Sequence, residues 1–243
     1  MESWNGLRTD YEDICPAKKC LWIDLPATEY EEAWRLQNDL VAARKKGICL
    51  DTDVVMLLEH PSVFTIGKHG DLKNLTVSEK FLEKRNIPLI RIERGGDITF
   101  HGPGQLVVYP IIDLHAAGLS VLNYTENLEE VMIRTVQDWG IRAQRGMRNR
   151  GVWVGNNKLG SVGIAIRRGI CFHGMALNVN VSLEPFDWIN PCGMQKITMT
   201  SMEQELSIPV SINRVRHAIR HHIEMVFDVE LVMTSMSELD CLQ

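Results

Sequence analysis

The order of apolar and polar residues along the chain predicts several strands. Short apolar runs predict strands at Lys19–Leu25, Asp53–Glu59, Pro88–Ile92 and Leu106–Asp113, the last of them interrupted by Pro110. Because the Asp53–Glu59 run is almost wholly apolar, we expect it to lie in the middle of a sheet, covered on both faces.

Three other stretches repeat apolar residues at the period of an amphipathic helix. The first begins at a capping box of Thr28 and Glu31, the second begins with Asn123 as its cap and reaches Trp139, and the third spans Ile212–Phe227. These helices are interleaved with strands, some of which are joined by short turns. The pattern predicts an α+β fold, a mixed sheet with packed helices, in one domain over residues 1–243.

A hairpin is predicted in the second half of the chain. Lys158 opens an apolar run, Leu159–Ile166, and a second run, Met175–Val181, can return beside it as an antiparallel strand. The turn before Lys158 contains Gly155-Asn156-Asn157, and we expect the asparagines to adopt its positive φ angles. The hairpin and its exit loop would bring Lys158 close to Cys192.

Residues 94–105 (RGGDITFHGPGQ) contain four glycines and a proline, which excludes a packed helix. Glycines at this density allow backbone amides to face a ligand, and Arg94 and His101 flank them. A long hairpin turn without a ligand is the alternative interpretation. The segment has neither the Walker spacing nor GxGxxG followed by a helix, so it is not a nucleotide-binding motif.

Composition narrows the class of protein. The formal charge of −5 argues against binding nucleic acid through bulk charge, although arginines cluster at Arg142, Arg145, Arg148, Arg150, Arg167 and Arg168. That cluster either meets an acidic partner or is a solvated surface. The six cysteines form no CxxC pair, and neither a signal peptide nor a membrane span is recognisable, so we expect reduced thiols in the cytoplasm.

Cys192 is the candidate nucleophile. It lies between Pro191 and Gly193, which favour a turn that presents a small thiol, and an ammonium group such as that of Lys158 would stabilise the thiolate. A cysteine taken alone is more often a core residue. A Cys-His protease would need a histidine to orient the thiol, and zinc held by His101, His173 and a cysteine would lack any recognised ligand spacing.

Four segments together resemble the lipoyl(octanoyl) transferase family. They are RGGDITFHGPGQLVVYP, the KLGSVG that contains Lys158, RRGICFHGMALNVN, and the INPCG that contains Cys192. They occur in the family's order and nearly at its spacing, over about Val54 to Thr200. The resemblance implies the fold of biotin and lipoate protein ligases.

The resemblance also implies a reaction. An octanoyl group would pass from octanoyl-acyl-carrier protein to Cys192 as a thioester, and then to the acceptor lysine of lipoyl domains, those of 2-oxoacid dehydrogenase E2 subunits and of the glycine cleavage H protein. Lys158 would be the catalytic partner of Cys192, and no metal, cofactor, nucleic acid or membrane would take part. The implied substrate contacts are Arg94, Gly95, Gly96, Asp97, Ile98, Thr99, Phe100, His101, Ser161, Val162, Gly163, Gly174, Met175 and Ala176.

Two features depart from many family members. Phe100 stands where a tyrosine or tryptophan is common, and the segment after Cys192 is shorter. The alternatives are an ATP-dependent lipoate or biotin ligase on the same fold, which the NPCG segment disfavours, and a noncatalytic protein that binds acyl groups or lipoyl domains. A noncatalytic protein would need neither Cys192 nor Lys158.

Overall fold

The computed structural model describes residues 18–46, 52–146, 150–190 and 197–239. Within these ranges the chain forms two sheets and five α-helices. The strands are β1 (Lys18–Asp24), β2 (Asp53–Leu58), β3 (Val63–Ile66), β4 (Leu89–Arg91), β5 (Ile98–His101), β6 (Gln105–Asp113), β7 (Gln144–Arg145), β8 (Val152–Val154), β9 (Asn157–Arg167), β10 (Ile170–Asn178), β11 (Thr198–Met199) and β12 (Val229–Met233). The helices are α1 (Tyr30–Lys46), α2 (Glu79–Glu83), α3 (Val121–Gln137), α4 (Met202–Leu206) and α5 (Ile212–Phe227).

The larger sheet mixes parallel and antiparallel pairs in the order β12-β1-β2-β6-β10-β9-β8-β7, with β11 attached to β9. One face packs against the buried residues of α3 and α5, and the other packs against α1. Every residue of β2 is buried, as expected for a strand that lies between β1 and β6. The predicted α+β class with a mixed sheet is confirmed.

The smaller sheet is formed by β4, β3 and β5. Phe64 and Phe100 meet at its centre with ring centroids 5.1 Å apart, and Phe186 packs on Phe100 edge-on at 5.5 Å. This aromatic cluster fixes β5 and the segment that precedes it. The glycine-rich stretch, residues 94–105, contains β5 and the connections on both sides of it. Packing of β5 in this cluster therefore holds the middle of the stretch in place.

Two helix starts differ from the sequence prediction. Helix α3 begins at Val121, because the Ser120 side chain accepts a hydrogen bond from the Asn123 amide at 3.1 Å and caps the helix there. The predicted cap, Asn123, is thus inside the first turn. Helix α1 begins at Tyr30, and the Thr28 hydroxyl donates to the Pro26 carbonyl oxygen at 2.8 Å.

The pairing of β6 with β10 at the centre of the larger sheet is irregular at Pro110 and His173. Strand β6 runs through Pro110 without interruption, contrary to the prediction, and β10 begins at Ile170 instead of Met175. His173 in β10 adopts a φ of 56°, and its amide donates to the Gln37 side-chain oxygen of α1 at 2.8 Å. Pro110 has no amide hydrogen, so the strand opposite it can turn its own amide toward the helix.

None of the helices in the described ranges has the length and apolar character needed to cross a membrane.

Candidate active site

A cavity of about 710 Å³ lies between the two sheets and the N-terminal end of α3. Its walls include most of the sequence-predicted substrate contacts and Lys158. The predicted residues that line it are Arg94, Gly95, Gly96, Asp97, Ile98, Thr99, His101, Ser161, Val162, Gly163, Gly174 and Ala176. A cavity of this size is in the usual range for a small-molecule site.

Arg94 fastens the glycine-rich wall to the smaller sheet. Its guanidinium donates to the Thr65 carbonyl oxygen and to the Thr65 hydroxyl, both at 2.8 Å, and to the Gly95 carbonyl oxygen at 3.1 Å. The side chain is buried. These bonds hold the loop in shape, so the backbone of Gly95 and Gly96 faces the cavity from a fixed frame.

The glycine-rich loop at Arg94 and Gly95 approaches β9 closely because residue 163 in β9 is a glycine. A Cβ added at Gly163 would lie 3.1 Å from Arg94 Cδ and 3.4 Å from the Gly95 carbonyl oxygen. The Gly95 amide donates to the Ile164 carbonyl oxygen at 2.8 Å, which joins the two walls. Strand β8 pairs with β9 only as far as Gly160, so the backbone of Ser161–Gly163 lies along the cavity.

Asp97 links the same wall to the segment that leads to Pro191. Its carboxylate accepts from the Ile98 amide at 2.7 Å and from the Asn74 side chain. The Asn74 carbonyl oxygen in turn accepts from the Asn190 amide at 2.7 Å. The glycine-rich loop and the chain just before Pro191 are therefore parts of one hydrogen-bonded unit.

Lys158 lies in β9, where the hairpin prediction placed it. Strand β9 pairs antiparallel with β10, as predicted, and the turn between β8 and β9 has its positive φ of 55° at Gly155 instead of at the asparagines. The Lys158 ammonium is 5.6 Å from the centre of the Trp153 ring. The side chain is partly buried and lines the cavity.

Cys192, with Pro191 and Gly193, lies outside the described residues, in the range 191–196. The chain on each side of that range is at the cavity. Ile189 and Met199 both line it, and Met199 pairs with Lys158 in the parallel β11–β9 ladder. The Thr200 amide donates to the Lys158 carbonyl oxygen at 2.9 Å.

His101 is a neutral imidazole in the cavity wall. Its Nδ1 is 2.7 Å from the Gln105 amide oxygen, while Gln105 Nε2 donates to Asn178 Oδ1 at 2.9 Å, so the His101 proton is on Nδ1. Burial holds the pKa of His101 well below its ordinary value, and the neighbouring His60 and Arg94 lower it further. Nε2 is consequently an acceptor.

Phe100 and Met175 do not line the cavity, contrary to the contacts that the resemblance implied. Phe100 is 2% exposed inside the aromatic cluster, on the face of β5 opposite to Thr99 and His101. Met175 likewise packs in the core beneath α3, between Gly174 and Ala176, which line the cavity. Alternation of side chains along β10 accounts for Met175 between Gly174 and Ala176, whereas Ile98 lines the cavity from the same face of β5 that carries Phe100.

The α3 side of the cavity was missed from the sequence. Val121, Leu122 and Thr125 line it, with Val121 48% and Leu122 51% exposed. These residues precede or flank the cap predicted at Asn123, so the helical period did not reveal them. Other lining residues that were missed are Ile164, Phe186, Ile189 and Met199, while Arg150, one of the clustered arginines named from the sequence, also lines the cavity.

Several arginines of the predicted basic cluster are paired with carboxylates. Arg145 contacts Glu130 at 2.6 Å, Arg150 contacts Glu129 at 3.3 Å, and Arg167 contacts Glu93 at 3.1 Å. Arg148 lies outside the described residues. The positive charge that these three arginines offer to an acidic partner is therefore smaller than the sequence suggests.

Cys171 lies in β10, a strand that also contributes Gly174 and Ala176 to the cavity wall. It is 0% exposed in β10, and burial raises its pKa to about 12. A thiol with that pKa is not a nucleophile near neutral pH. Across the described ranges, no group of three or more His, Cys, Asp or Glu side chains is arranged to hold a metal ion.

Residues 29–224 match the protein family described as lipoyl protein ligase A/B catalytic domain. The octanoyltransferase of Desulfotalea psychrophila is 49% identical over 185 residues, which are 75% of this chain and 82% of that protein. The octanoyltransferase of Syntrophobacter fumaroxidans is 40% identical over 225 residues, which are 93% of this chain and 98% of that protein.

Among solved structures, the putative lipoate protein ligase Ta0514 from T. acidophilum matches with a TM-score of 0.71 at 17% identity, covering 91% of this chain and 90% of that one. This likeness confirms the predicted lipoate protein ligase-like fold. The family match includes all the cavity walls, and the two relatives extend over most of the chain. The chain therefore belongs to the octanoyltransferase family, a group of acyltransferase enzymes with the lipoyl protein ligase A/B catalytic domain.

Proposed function

We propose that this chain takes an octanoyl group from octanoyl-acyl-carrier protein, holds it as a thioester on Cys192, and passes it to the acceptor lysine of a lipoyl domain. The acceptors would be the lipoyl domains of 2-oxoacid dehydrogenase E2 subunits and the glycine cleavage H protein. Lys158 would be the acid and base for both steps, and ATP would not be needed.

The observation that carries this proposal is that the chain on both sides of the range 191–196 reaches the cavity that Lys158 lines. The residue before that range, Asn190, is bonded to the glycine-rich wall through Asn74, and the segment after it pairs with Lys158 itself. An amine within reach of a thiol can favour the thiolate and exchange protons with it.

The two steps balance in atoms and charge. The Cys192 thiolate attacks the thioester carbonyl carbon, a carbon–sulfur bond forms, and the carrier thiol leaves with a proton from Lys158. The acceptor amine then attacks the new thioester, loses a proton to Lys158, and expels the Cys192 thiolate. The first step exchanges one thioester for another, and the second forms a more stable amide, so no further energy source is required.

The walls suit the acyl group and the developing oxyanion. Backbone of Gly96 and Ser161–Gly163 lies along the cavity, and amides held in a fixed frame can stabilise an oxyanion. Ile98, Val162, Phe186 and Ile189 provide apolar surface. Burial of about six methylenes at ~0.8 kcal/mol each would contribute up to ~5 kcal/mol to acyl binding.

We include the cytoplasm in the proposal because the mechanism needs a reduced thiol, which a reducing compartment maintains. Cys20 and Cys171 are both free and buried.

The test is the intact mass of the protein after mixing with octanoyl-acyl-carrier protein in the absence of ATP. We expect one octanoyl group per chain, lost on Cys192→Ser and retained on Cys171→Ser, because Cys171 is buried in a strand. Addition of a lipoyl domain should then discharge the adduct and increase the mass of the lipoyl domain. Acylation of the lipoyl domain only when free octanoate and ATP are supplied would contradict the proposal and identify a ligase.

A further inference from the structure

Glu129 on α3 is a fully buried carboxylate that the proposed reaction does not use. It is 0% exposed, and a charged side chain in that position is costly unless it has close partners. Its neighbour Glu130, in contrast, is 26% exposed. The partners of Glu129 therefore indicate what the residue does.

The carboxylate of Glu129 holds two consecutive residues of the chain just before β8. One oxygen accepts from the Gly151 amide at 2.7 Å, and the other accepts from the Arg150 guanidinium at 3.3 Å. Arg145 Nε lies 3.7 Å away. Arg150 also lines the cavity, so Glu129 fixes part of the cavity wall directly.

Gly151 packs directly on the aliphatic part of Lys158. A Cβ added at Gly151 would lie 2.8 Å from Lys158 Cε and still closer to the Gly160 carbonyl oxygen, and the φ of Gly151 is 126°. Only glycine combines that angle with that approach. Trp153 bounds the end of the same side chain, with its ring centre 5.6 Å from the Lys158 ammonium.

From these contacts we propose that Glu129 is a positioning residue for Lys158. Glu129 holds Arg150 and the backbone of Gly151, and Gly151 packs against the aliphatic part of the Lys158 side chain. Glu129 thereby keeps the Lys158 ammonium at the cavity wall. The inference rests on the proposed function, because it assigns the importance of this geometry to proton transfer by Lys158. Small errors in the placement of a reacting group reduce rates strongly, which gives such support a measurable effect.

The test compares Glu129→Gln with Glu130→Gln. The glutamine can still accept from the Gly151 amide, but it loses the ion pair to Arg150, whereas Glu130→Gln removes only partly exposed ion pairs to Arg134 and Arg145. With a small octanoyl thioester as substrate, we expect the first-order acylation rate to fall about tenfold in Glu129→Gln at unchanged KM, equivalent to ~1.4 kcal/mol. Glu130→Gln should retain the wild-type rate.

A second readout follows Lys158 without reference to catalysis. Lysine amines are methylated with ¹³C-formaldehyde, and the Lys158 resonance is assigned by its loss in Lys158→Arg. We expect this resonance to move in Glu129→Gln and to stay in place in Glu130→Gln. If Glu129→Gln does not fold, Glu129→Asp, which keeps the charge but is one methylene shorter, takes its place.

An unmoved resonance would overturn the inference whatever the kinetics show. A moved resonance with an unchanged acylation rate would also overturn it, because Glu129 would then be only structural. Failure of the wild-type protein to acylate Cys192 would instead contradict the proposed function, and the resonance comparison would still decide whether Glu129 positions Lys158.

Discussion

Two walls of the cavity are built in opposite ways. The wall from Arg94 to His101 is tied to the smaller sheet by buried hydrogen bonds from Arg94 to Thr65. It is also tied to Asn74 through Asp97, and to β9 through Gly95. The wall from the start of α3 presents Val121 and Leu122, which are about half exposed. A fixed wall suits the reacting carbonyl group, whose charge changes, and an open apolar wall suits the entry of an acyl chain.

The largest effect is expected at the proposed dyad of Cys192 and Lys158. Cys192→Ser and Lys158→Ala should each lower transfer to a lipoyl domain by about 1000-fold or more, ~4 kcal/mol in barrier, with the fold retained. Both residues belong to one proton-transfer unit, so the double variant should be no worse than the worse single variant. Single losses that multiply in the double variant, measured by single-turnover kinetics, would show that the two residues act independently.

The second effect concerns a histidine beneath the fixed wall. His60 Nδ1 donates to the Thr28 carbonyl oxygen at 2.7 Å, and Tyr109 donates to Nε2 at 2.8 Å, and burial lowers the pKa of His60 from 6.5 to about 4. Between pH 6.5 and pH 4 the unfolded chain binds a proton that the folded protein excludes, so stability falls as the pH falls. The shift corresponds to about 3 kcal/mol.

Urea unfolding at a series of pH values measures this contribution. His60→Gln should be less stable than the wild type at pH 7 but should lose about 3 kcal/mol less between pH 6.5 and pH 4. His115→Gln, at an exposed position, is the control and should keep the wild-type dependence. Equal pH dependence in wild type and His60→Gln would mean that His60 is not the titrating group.

The third prediction concerns the hydrogen bonds by which Arg94 holds the fixed wall to Thr65. Arg94→Lys removes the paired hydrogen bonds to the Thr65 carbonyl and hydroxyl oxygens, and a lysine cannot replace both in the same geometry. We expect a loss of about 2 kcal/mol in the free energy of unfolding, together with slower acylation. The exposed Arg91→Lys in β4 is the matched control, and a similar loss there would show a general effect of charge placement.

The smallest effect is expected on the open wall. Leu122→Asp should raise KM for a small octanoyl thioester roughly fivefold, about 1 kcal/mol, because polar surface replaces apolar surface in the acyl path. Stability should stay within about 0.5 kcal/mol, since the side chain is 51% exposed and an acid in the first turn of a helix is favourable. Ile208→Asp, at another exposed apolar position, should leave KM unchanged. A loss of stability in Leu122→Asp without a change in KM would remove this wall from the acyl path.

Sequence alone revealed the fixed wall better than the open one. Glycines and a flanking arginine mark residues 94–105 because backbone exposure needs a distinctive composition. The open wall depends on Ser120 capping α3, whereas Asn123 with Glu126 three residues later had predicted the cap at Asn123. Val121 and Leu122 also lie off the inner stripe of the helix. The prediction of one domain over residues 1–243 stays a prediction.

The predicted start of β10, Met175, was wrong for a related reason. The alternation of β10 is hidden at its start because His173 adopts a positive φ and Gly174 has no side chain. A Cβ at Gly174 would lie 2.7 Å from Pro110 Cδ and closer still to the Val108 carbonyl oxygen. The glycine is therefore required by contacts with β6, a strand that is distant in the sequence. Tertiary contacts of this kind leave no local pattern.

The hydrogen bond from His173 to Gln37 also bears on how the protein opens. It joins the centre of the sheet to α1 through a buried backbone amide, whereas other amides of β10 are bonded to neighbouring strands. Detachment of α1 would leave that amide without its partner while the sheet stayed intact. Its hydrogen-exchange rate therefore reports the free energy of undocking one helix, separately from global unfolding.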